Sequence, residues 1–131
     1  MAITKSVERQ ELIVARVTGT LGTGYNVAVQ GVFTAVEIPQ NAVVIGGHFV
    51  VDDVTSGSVV AAIGDSVSGT RYGSNINCNA LALTALVPTG YKYPAQSTID
   101  ITISGATPAA YGTFELVVEY IIDGRAEFSQ G

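Results

Sequence analysis

The sequence predicts an all-β domain built as a two-sheet antiparallel sandwich. Short apolar segments recur along the chain, separated by Gly, Pro, Ser and Asp, the residues that favour turns. Several of these segments alternate apolar and polar residues with a period of two, which is typical of half-buried strands. No window carries the apolar stripe and end caps of a helix. About eight strands at near-regular spacing therefore indicate a sandwich, jelly-roll-like in its strand content.

A single domain accounts for the whole chain. With 131 residues, the protein can bury roughly two-thirds of the surface that its unfolded chain exposes. Hydrophobic residues make up 47% of the chain and charged residues 13%, a composition that excludes intrinsic disorder. We divide the sequence into an extended N-terminal arm at 1–9, a β-sandwich domain at 10–122 and a C-terminal tail at 123–131.

The strand boundaries follow from where apolar runs begin and where turn residues stop them. The first strand is apolar on both faces, and the glycine-rich segment Gly19–Gly24 after it predicts a turn. Pro39 ends the third strand, because proline cannot donate a ladder hydrogen bond. The strands are predicted, in chain order, at 10–18, 25–30, 32–38, 43–51, 59–63, 80–87, 98–103 and 114–122.

The last two predicted strands show the clearest alternation. Ile99, Ile101 and Ile103 alternate with polar residues in the first of them. In the second, an apolar residue occupies every even position from Phe114 to Ile122. Both patterns indicate antiparallel strands with one face in a core.

Apolar residues on the outward faces predict contacts with other chains. Two packed sheets cover one side of each strand, so apolar residues on the other side need another cover. Such residues occur in the strand 43–51 and in the last strand, together with the one histidine of the chain. We predict an oligomer interface formed by Val44, His48, Val50, Val117 and Ile121.

The charge of the chain argues against nucleic acid as a partner. The formal net charge is −5, whereas affinity for nucleic acid comes largely from basic groups. Residues 1–16 carry a net charge of +1 and the remaining residues −6, so the N-terminal segment differs in character from the body. No apolar run is long enough to cross a bilayer, and no membrane partner is predicted.

The cysteine count and the start of the chain predict the cellular compartment in which the protein is made. Cys78 is the single cysteine, which excludes an intramolecular disulfide and a four-thiolate zinc site. The start of the chain lacks a basic segment followed by an apolar one, so we expect synthesis in the cytosol.

Residues capable of chemistry are few and scattered, so no enzymatic activity and no cofactor are predicted. His48 stands in the middle of a predicted strand, and a Ser-His-Asp arrangement would rest on residue counts alone. Asp52 and Asp53, with Asp65, could in principle bind calcium, but the alternating spacing of an EF-hand loop is missing and a solvated turn is favoured. The Gly19–Gly24 segment lacks the lysine and the following helix of a phosphate-binding loop.

Tyrosines near the predicted loops could serve recognition, since aromatic side chains stack on sugars and anchor protein partners. With no tryptophan and no fixed spacing, packing at the edge of the core is favoured. Asp65 and Arg71 are close enough in sequence to pair across a turn, which would contribute under about 1 kcal/mol if exposed. The tyrosines in question are Tyr72, Tyr91, Tyr93 and Tyr111.

Three segments together resemble a family of small jelly-roll proteins, the head decoration or cement proteins of tailed bacteriophages. An apolar-Pro-x-x-Ala opening followed by an apolar strand is present as VEIPQNAVVIGG at 36–47. An apolar-Gly-Asp element followed by Arg and an aromatic residue is present as AIGDS at 62–66 with RY at 71–72. A last strand preceded by glycine is present as YGTFELVVEY at 111–120. The resemblance spans about residues 36–122, and the order of the segments carries it.

The resemblance implies a structural virion protein that sits on assembled major capsid protein and stabilises it, often as a homo-oligomer, a dimer or trimer. We expect the N-terminal segment, distinct in charge, to reach onto the capsid while the acidic body faces outward. The residues expected to bind the capsid are Ile3, Lys5, Arg9 and Arg16. The protein would then be located on the capsid surface of the virion.

Other functions remain open from the sequence. A receptor- or carbohydrate-binding module of a phage tail fibre would use the loop tyrosines and the acidic turns. A chain that builds a shell or tube by itself would need the same surplus of apolar strands. A small sandwich enzyme or a cupin-like metal protein would need ligands that the sequence does not group.

Overall fold

A computed structural model of the protein describes residues 7–21, 31–54, 59–104, 112–123 and 126–130. These residues form ten strands and no helix, which confirms the predicted all-β class. The strands are β1 (Val7–Gln10), β2 (Ile13–Leu21), β3 (Gly31–Ile38), β4 (Ala42–Asp53), β5 (Val60–Gly64), β6 (Gly73–Asn77), β7 (Ala82–Ala85), β8 (Ser97–Ser104), β9 (Gly112–Ile122) and β10 (Ala126–Gln130).

Eight of the strands form two four-stranded antiparallel sheets. The first sheet has the order β2-β9-β4-β7 and the second the order β3-β8-β5-β6. The predicted two-sheet antiparallel sandwich is therefore confirmed. The remaining strands, β1 and β10, form a separate antiparallel pair that joins the predicted arm to the predicted tail, with Arg9 opposite Phe128.

The core lies between the two sheets and is filled by alternate residues of each strand. Phe49 of β4 and Phe114 of β9 stack at its centre, with ring centroids 5.4 Å apart. The isoleucines at 99, 101 and 103, which the sequence placed on one face of β8, are all buried. Removing a ring such as that of Phe49 would cost about 3–5 kcal/mol, because the cavity left behind adds to the lost transfer free energy.

A bulge in β4 reverses which residues face the core. The pairing with β9 shifts between Val44 and Gly46, and Gly47 has a φ of +134°, a value that favours glycine. Before the bulge Val44 points inward and is 1% exposed, whereas after it Phe49 and Val51 point inward. The predicted outward orientation of Val44 is therefore wrong, since strict alternation cannot anticipate the extra residue.

Several strand limits differ from the sequence expectation. β6 was missed, because the polar segment GSNIN contains one apolar residue, Ile76, and shows no alternation. Part of the turn expected at Gly19–Gly24 is strand, since β2 continues to Leu21 in register with Gly112 of β9. The rest of that segment lies outside the described residues. The strand predicted at 25–30 lies outside the described residues, as does Tyr111.

Candidate functional site

One candidate surface is the outward side of the first sheet, which we call the outer face. Directly opposite residues of antiparallel strands point to the same side, so the register fixes its membership. The residues that define it are Val14 and Arg16 of β2, Glu115, Val117, Glu119 and Ile121 of β9, His48 and Val50 of β4, and Leu83 and Ala85 of β7.

Four of the five residues predicted to form an oligomer interface lie together on the outer face. His48 and Val117 are opposite each other on β4 and β9, in one row with Arg16 of β2. Val50 is the next outward-facing residue of β4 after His48, and Ile121 is the second outward-facing residue of β9 after Val117. Val44 lies in the core and is not part of this surface. Whether the face contacts another chain stays a prediction.

A bidentate ion pair crosses the outer face. Arg16 donates from Nε and from a terminal nitrogen to the carboxylate of Glu115, at 2.7 Å and 3.1 Å. These hydrogen bonds raise the pKa of Arg16 and lower that of Glu115. The guanidinium is largely exposed, so it is available to a second carboxylate of a partner.

The other residues predicted to bind a capsid are placed only in part. Arg16 lies on the outer face, and Arg9 lies in β1. Ile3 and Lys5 are outside the described residues. β1 precedes β2 directly in the chain, so the segment predicted to be an arm leads into the edge of the outer face.

A second cluster joins the loop after β5 to the loop before β8. Asp65 and Arg71 form the predicted pair, with Nε 2.5 Å from Oδ2, and their side chains are 1% and 15% exposed. Tyr93 donates its hydroxyl hydrogen to the same oxygen at 2.7 Å, and its own oxygen lies 2.7 Å from the hydroxyl of Tyr72. Tyr91 packs edge-on against Tyr93 and carries the Arg71 guanidinium 3.8 Å from its ring centroid. We call these five residues the Asp65 cluster.

The hydrogen bonds of the Asp65 cluster keep its buried carboxylate ionised. Burial alone would raise the pKa of Asp65, but hydrogen bonds from Arg71, from Tyr93 and from the backbone N–H groups of Val67 and Ser68 lower it below its ordinary value. Burial also raises the pKa of Tyr93. Both carboxylate oxygens accept hydrogen bonds within the protein, so the cluster fixes two loops and leaves no oxygen of Asp65 open to a substrate.

Sequence reasoning found the Asp65–Arg71 pair but not its burial. It also favoured core-edge packing for the loop tyrosines, and Tyr72 and Tyr93 are indeed buried. The signal in the sequence for the larger cluster is Gly64-Asp65 followed by Arg71-Tyr72, the second of the three segments that carry the family resemblance. Gly64 has to be glycine because a Cβ would collide with the backbone of the Asp65–Arg71 loop at Ser68 and Gly69.

Groups suited to metal binding are not brought together among the residues that the structure describes. No three His, Cys, Asp or Glu side chains converge there. Asp52 and Asp53 are exposed at the end of β4, while Asp65 is committed to Arg71. Cys78 is buried, and burial raises its pKa to about 11. The described part of the chain also contains no helix long and apolar enough to cross a membrane.

Comparison with known proteins gives matches at the level of structure. No protein-family model and no curated protein matches the sequence. A chain of the cyanophage Pam1 capsid asymmetric unit is similar with a TM-score of 0.69 and 20% identity, over 93% of this chain and 92% of that one. Chains of two further structures match over at least 90% of both chains: the acidic stable capsid structure of Helicobacter pylori bacteriophage KHP30, with a TM-score of 0.63 and 12% identity, and the capsid of Ralstonia phage GP4, with 0.61 and 14%.

These similarities establish the fold. The matched chains are nearly as long as this one, because each alignment covers at least nine-tenths of both partners. The similarity therefore extends over nearly all of each aligned chain and includes both sheets of the sandwich.

Proposed function

We propose that the protein is a structural component of a phage virion, a decoration protein that binds the outside of the assembled capsid and stabilises it. The observation that carries this proposal is the likeness, along the whole sandwich, to chains from three phage capsid structures. The strand orders β2-β9-β4-β7 and β3-β8-β5-β6 also support a jelly roll, the fold of the family that the sequence resembles. The partner would be the major capsid protein.

We assign the outer face to the contact with the capsid. It is a four-stranded surface with exposed apolar side chains such as Val14 and Leu83, and with an Arg16–Glu115 pair that can extend to charges of a partner. The N-terminal segment, which is positive relative to the body, precedes it and would lie at the same surface.

Repetition makes a modest contact sufficient for such a role. A capsid presents many equivalent sites, and a protein that engages two neighbouring sites gains affinity through a high effective concentration. Each outer face can then bury less than the roughly 1,600 Å² of a standard stable interface and still hold the protein on the particle. A homo-oligomer would stabilise the capsid by bridging its subunits.

The carbohydrate-binding alternative depends on tyrosines that the fold uses internally. Tyr93 is buried in the Asp65 cluster, and the ring of Tyr91 is covered on one side by Arg71. A sugar platform needs an open aromatic face, so these residues favour a structural use.

Binding to particles that lack the protein tests the proposal. The particles are capsids of the phage of origin assembled without this chain, and occupancy is measured by sedimentation and particle imaging. We expect Val14→Lys, on the outer face, to lower occupancy at least tenfold, as desolvating one lysine in an interface costs more than about 1.4 kcal/mol. Val32→Lys is the matched control, because Val32 is 66% exposed on β3 of the other sheet, against 56% for Val14.

The possible outcomes separate the assignments. Wild-type protein that does not bind the particles overturns the proposed function. Equal occupancy for the two variants would refute the assignment of the capsid contact to the outer face. Removal of residues 1–6, which leaves β1 intact, should reduce occupancy if the N-terminal segment contributes, and full occupancy would refute that contribution.

A further inference from the structure

One segment at an edge of the sandwich carries no charge. Between Arg71 and Lys92 the sequence contains no Asp, Glu, Lys, Arg or His. This uncharged segment, residues 72–91, forms β6, the turn after it and β7. β6 and β7 are the last strands of the two sheets, so the segment lies at the same edge of both. In a chain with a net charge of −5, it is a surface where a second acidic chain can approach without repulsion.

The outer edge of β7 has backbone groups free for pairing. Leu86 donates its N–H to the carbonyl oxygen of Gly47, so this position points towards β4. In an antiparallel ladder successive residues point to opposite sides of the strand. Leu83 and Ala85 therefore direct their N–H and C=O groups away from β4, where no strand among the described residues pairs with them.

The side chains along this edge are apolar and exposed. Leu81, Leu83 and Val87 are 69%, 63% and 64% exposed, at alternate positions with Ala85 between them. Proteins protect such an edge by keeping the strand short, or with lysine, proline or a bulge; β7 is short, with four residues, but has none of the other features. An edge strand whose exposed side chains are all apolar and uncharged is suited to pairing with another chain.

We propose that β7 pairs antiparallel with β7 of a second copy, around a two-fold axis at Thr84. In this register Leu83 lies opposite Ala85 of the other copy, and the two residues exchange both of their backbone hydrogen bonds. The same pair occurs on the other side of the axis. Each large Leu side chain meets a small Ala, and Thr84 meets its own copy, a favourable cross-strand pair.

The surroundings of β7 fit a second copy in this register. A cleft of about 440 Å³ lies beside Ala85 and Val87 and is bounded on its far side by the 70–74 loop, whose Tyr72 carbonyl accepts the N–H of Val87. Because the N–H of Val87 is already bonded within the chain, the intermolecular ladder covers Leu83 to Ala85 and ends there. The Leu81 end of the partner strand then leaves the ladder beside this cleft, which Arg71 also lines. Each copy thus offers its cleft to the exposed leucine of the other, which is the self-complementarity that a two-fold interface requires.

Pairing through β7 would also orient the capsid-binding surface. Opposite residues of an antiparallel ladder point to the same side of the sheet, so the two first sheets become one eight-stranded sheet with both outer faces on one side. The dimer then presents two outer faces to one capsid surface and gains affinity from both. That use of the dimer rests on the proposed function, whereas its formation in solution does not.

Charge exchange at Leu83 and Ala85 tests the register without any capsid. We compare wild type with an acidic variant, Leu83→Glu with Ala85→Glu, and a basic variant, Leu83→Lys with Ala85→Lys. Both side chains are exposed, so the single chain should stay folded, and circular dichroism verifies this. Sedimentation velocity should show a concentration-dependent dimer for wild type and a dissociation constant raised at least about tenfold for either variant, since like charges then lie opposite each other.

An equimolar mixture of the two variants should restore the dimer, because Glu then faces Lys at both pairs. A monomeric wild type overturns the inference, as does a dimer that both charged variants leave unchanged. A mixture that stays monomeric beside a dimeric wild type refutes this register. If the wild type is monomeric and binds particles, the dimer is refuted and the proposed function stands. If the wild type forms the charge-dependent dimer but does not bind particles, the dimer stands and the proposed function is refuted.

Discussion

Replacing Asp65 by asparagine tests whether the Asp65 cluster stabilises the fold. Asparagine has the same shape and keeps an oxygen at the position that accepts the N–H groups of Val67 and Ser68. The other carboxylate oxygen becomes an NH₂ group. It then faces the guanidinium of Arg71, which can only donate hydrogen bonds, and the hydroxyl of Tyr93. The variant leaves a mostly buried positive charge without its partner.

The structure sets the size of the effect. Removing one member of a buried ion pair costs about 3–5 kcal/mol. We expect about 3 kcal/mol, the lower end, because Arg71 keeps its contact with the ring of Tyr91 and reaches water with part of its surface. In a domain of this size such a loss lowers the Tm by about 10 °C.

Urea unfolding followed by circular dichroism measures the loss, and the chain offers a matched control. Asp123→Asn makes the same substitution in an exposed pair, where Asp123 lies 3.1 Å from Lys92 and is 55% exposed. It should change the free energy of unfolding by less than about 1 kcal/mol. Adding Arg71→Met to Asp65→Asn should recover about 1 kcal/mol or more by removing the unpaired charge. Equal losses for Asp65→Asn and Asp123→Asn would refute a stabilising role of the cluster.

Three further outcomes follow from the structure. Because the pKa of Asp65 is lowered in the folded chain, its contribution to stability is fully present above the pKa of the unfolded chain, ~4, and is lost as the pH falls through the lower pKa of the folded chain. The urea midpoint of the wild type should therefore drop in acid, and that of Asp65→Asn should drop less. Gly47→Ala should destabilise by more than about 2 kcal/mol, since the new methyl group meets the carbonyl of Val117 and φ is positive, whereas Gly46→Ala, with ordinary contacts only, should unfold at nearly the wild-type urea concentration. The buried thiol of Cys78, with its pKa raised to about 11, should resist alkylation at about pH 8 until urea opens the chain, and rapid labelling of the native protein would contradict that burial.

Alternation of apolar residues predicted most of the sandwich because each sheet has one face in the core. β8 and β9 were placed to within two residues, since an apolar residue occupies every second position from Ile99 to Ile103 and from Phe114 to Ile122. β6 could not be found in this way, as it is short and polar and owes its extended form to pairing with β5. The pairing of β1 with β10 links residues from opposite ends of the chain, and no local pattern encodes it.

The prediction of the candidate site was correct where it depended on alternating strand faces, and it was wrong where a bulge interrupts the alternation of β4. His48, Val50, Val117 and Ile121 were expected to face outward, and the register brings them onto one surface. Val44 failed because a bulge at the two glycines inserts a residue that strict alternation does not count. A Gly-Gly pair inside an apolar strand is a signal for such a bulge.

Long-range pairing decides the chemistry of the surfaces, and the sequence order conceals it. Arg16 and Glu115 are separated by 99 residues, yet β2 and β9 are neighbours and their side chains meet on the outer face. The composition of either segment contains no sign of that contact. Only the register reveals that the expected capsid-binding arginine and the expected interface residues share one surface.

The uncharged segment 72–91 shows how topology changes the meaning of a sequence feature. A run without charge would be unremarkable in a strand at the centre of a sheet, where both edges pair within the chain. β7 is instead the last strand in the order β2-β9-β4-β7, so the same residues form an exposed edge. An edge that carries exposed leucines and open backbone groups, but no charge to repel another strand, has the properties of an interface. The self-pairing of β7 therefore follows from the strand order as much as from the residues, and the charge-exchange variants test both together.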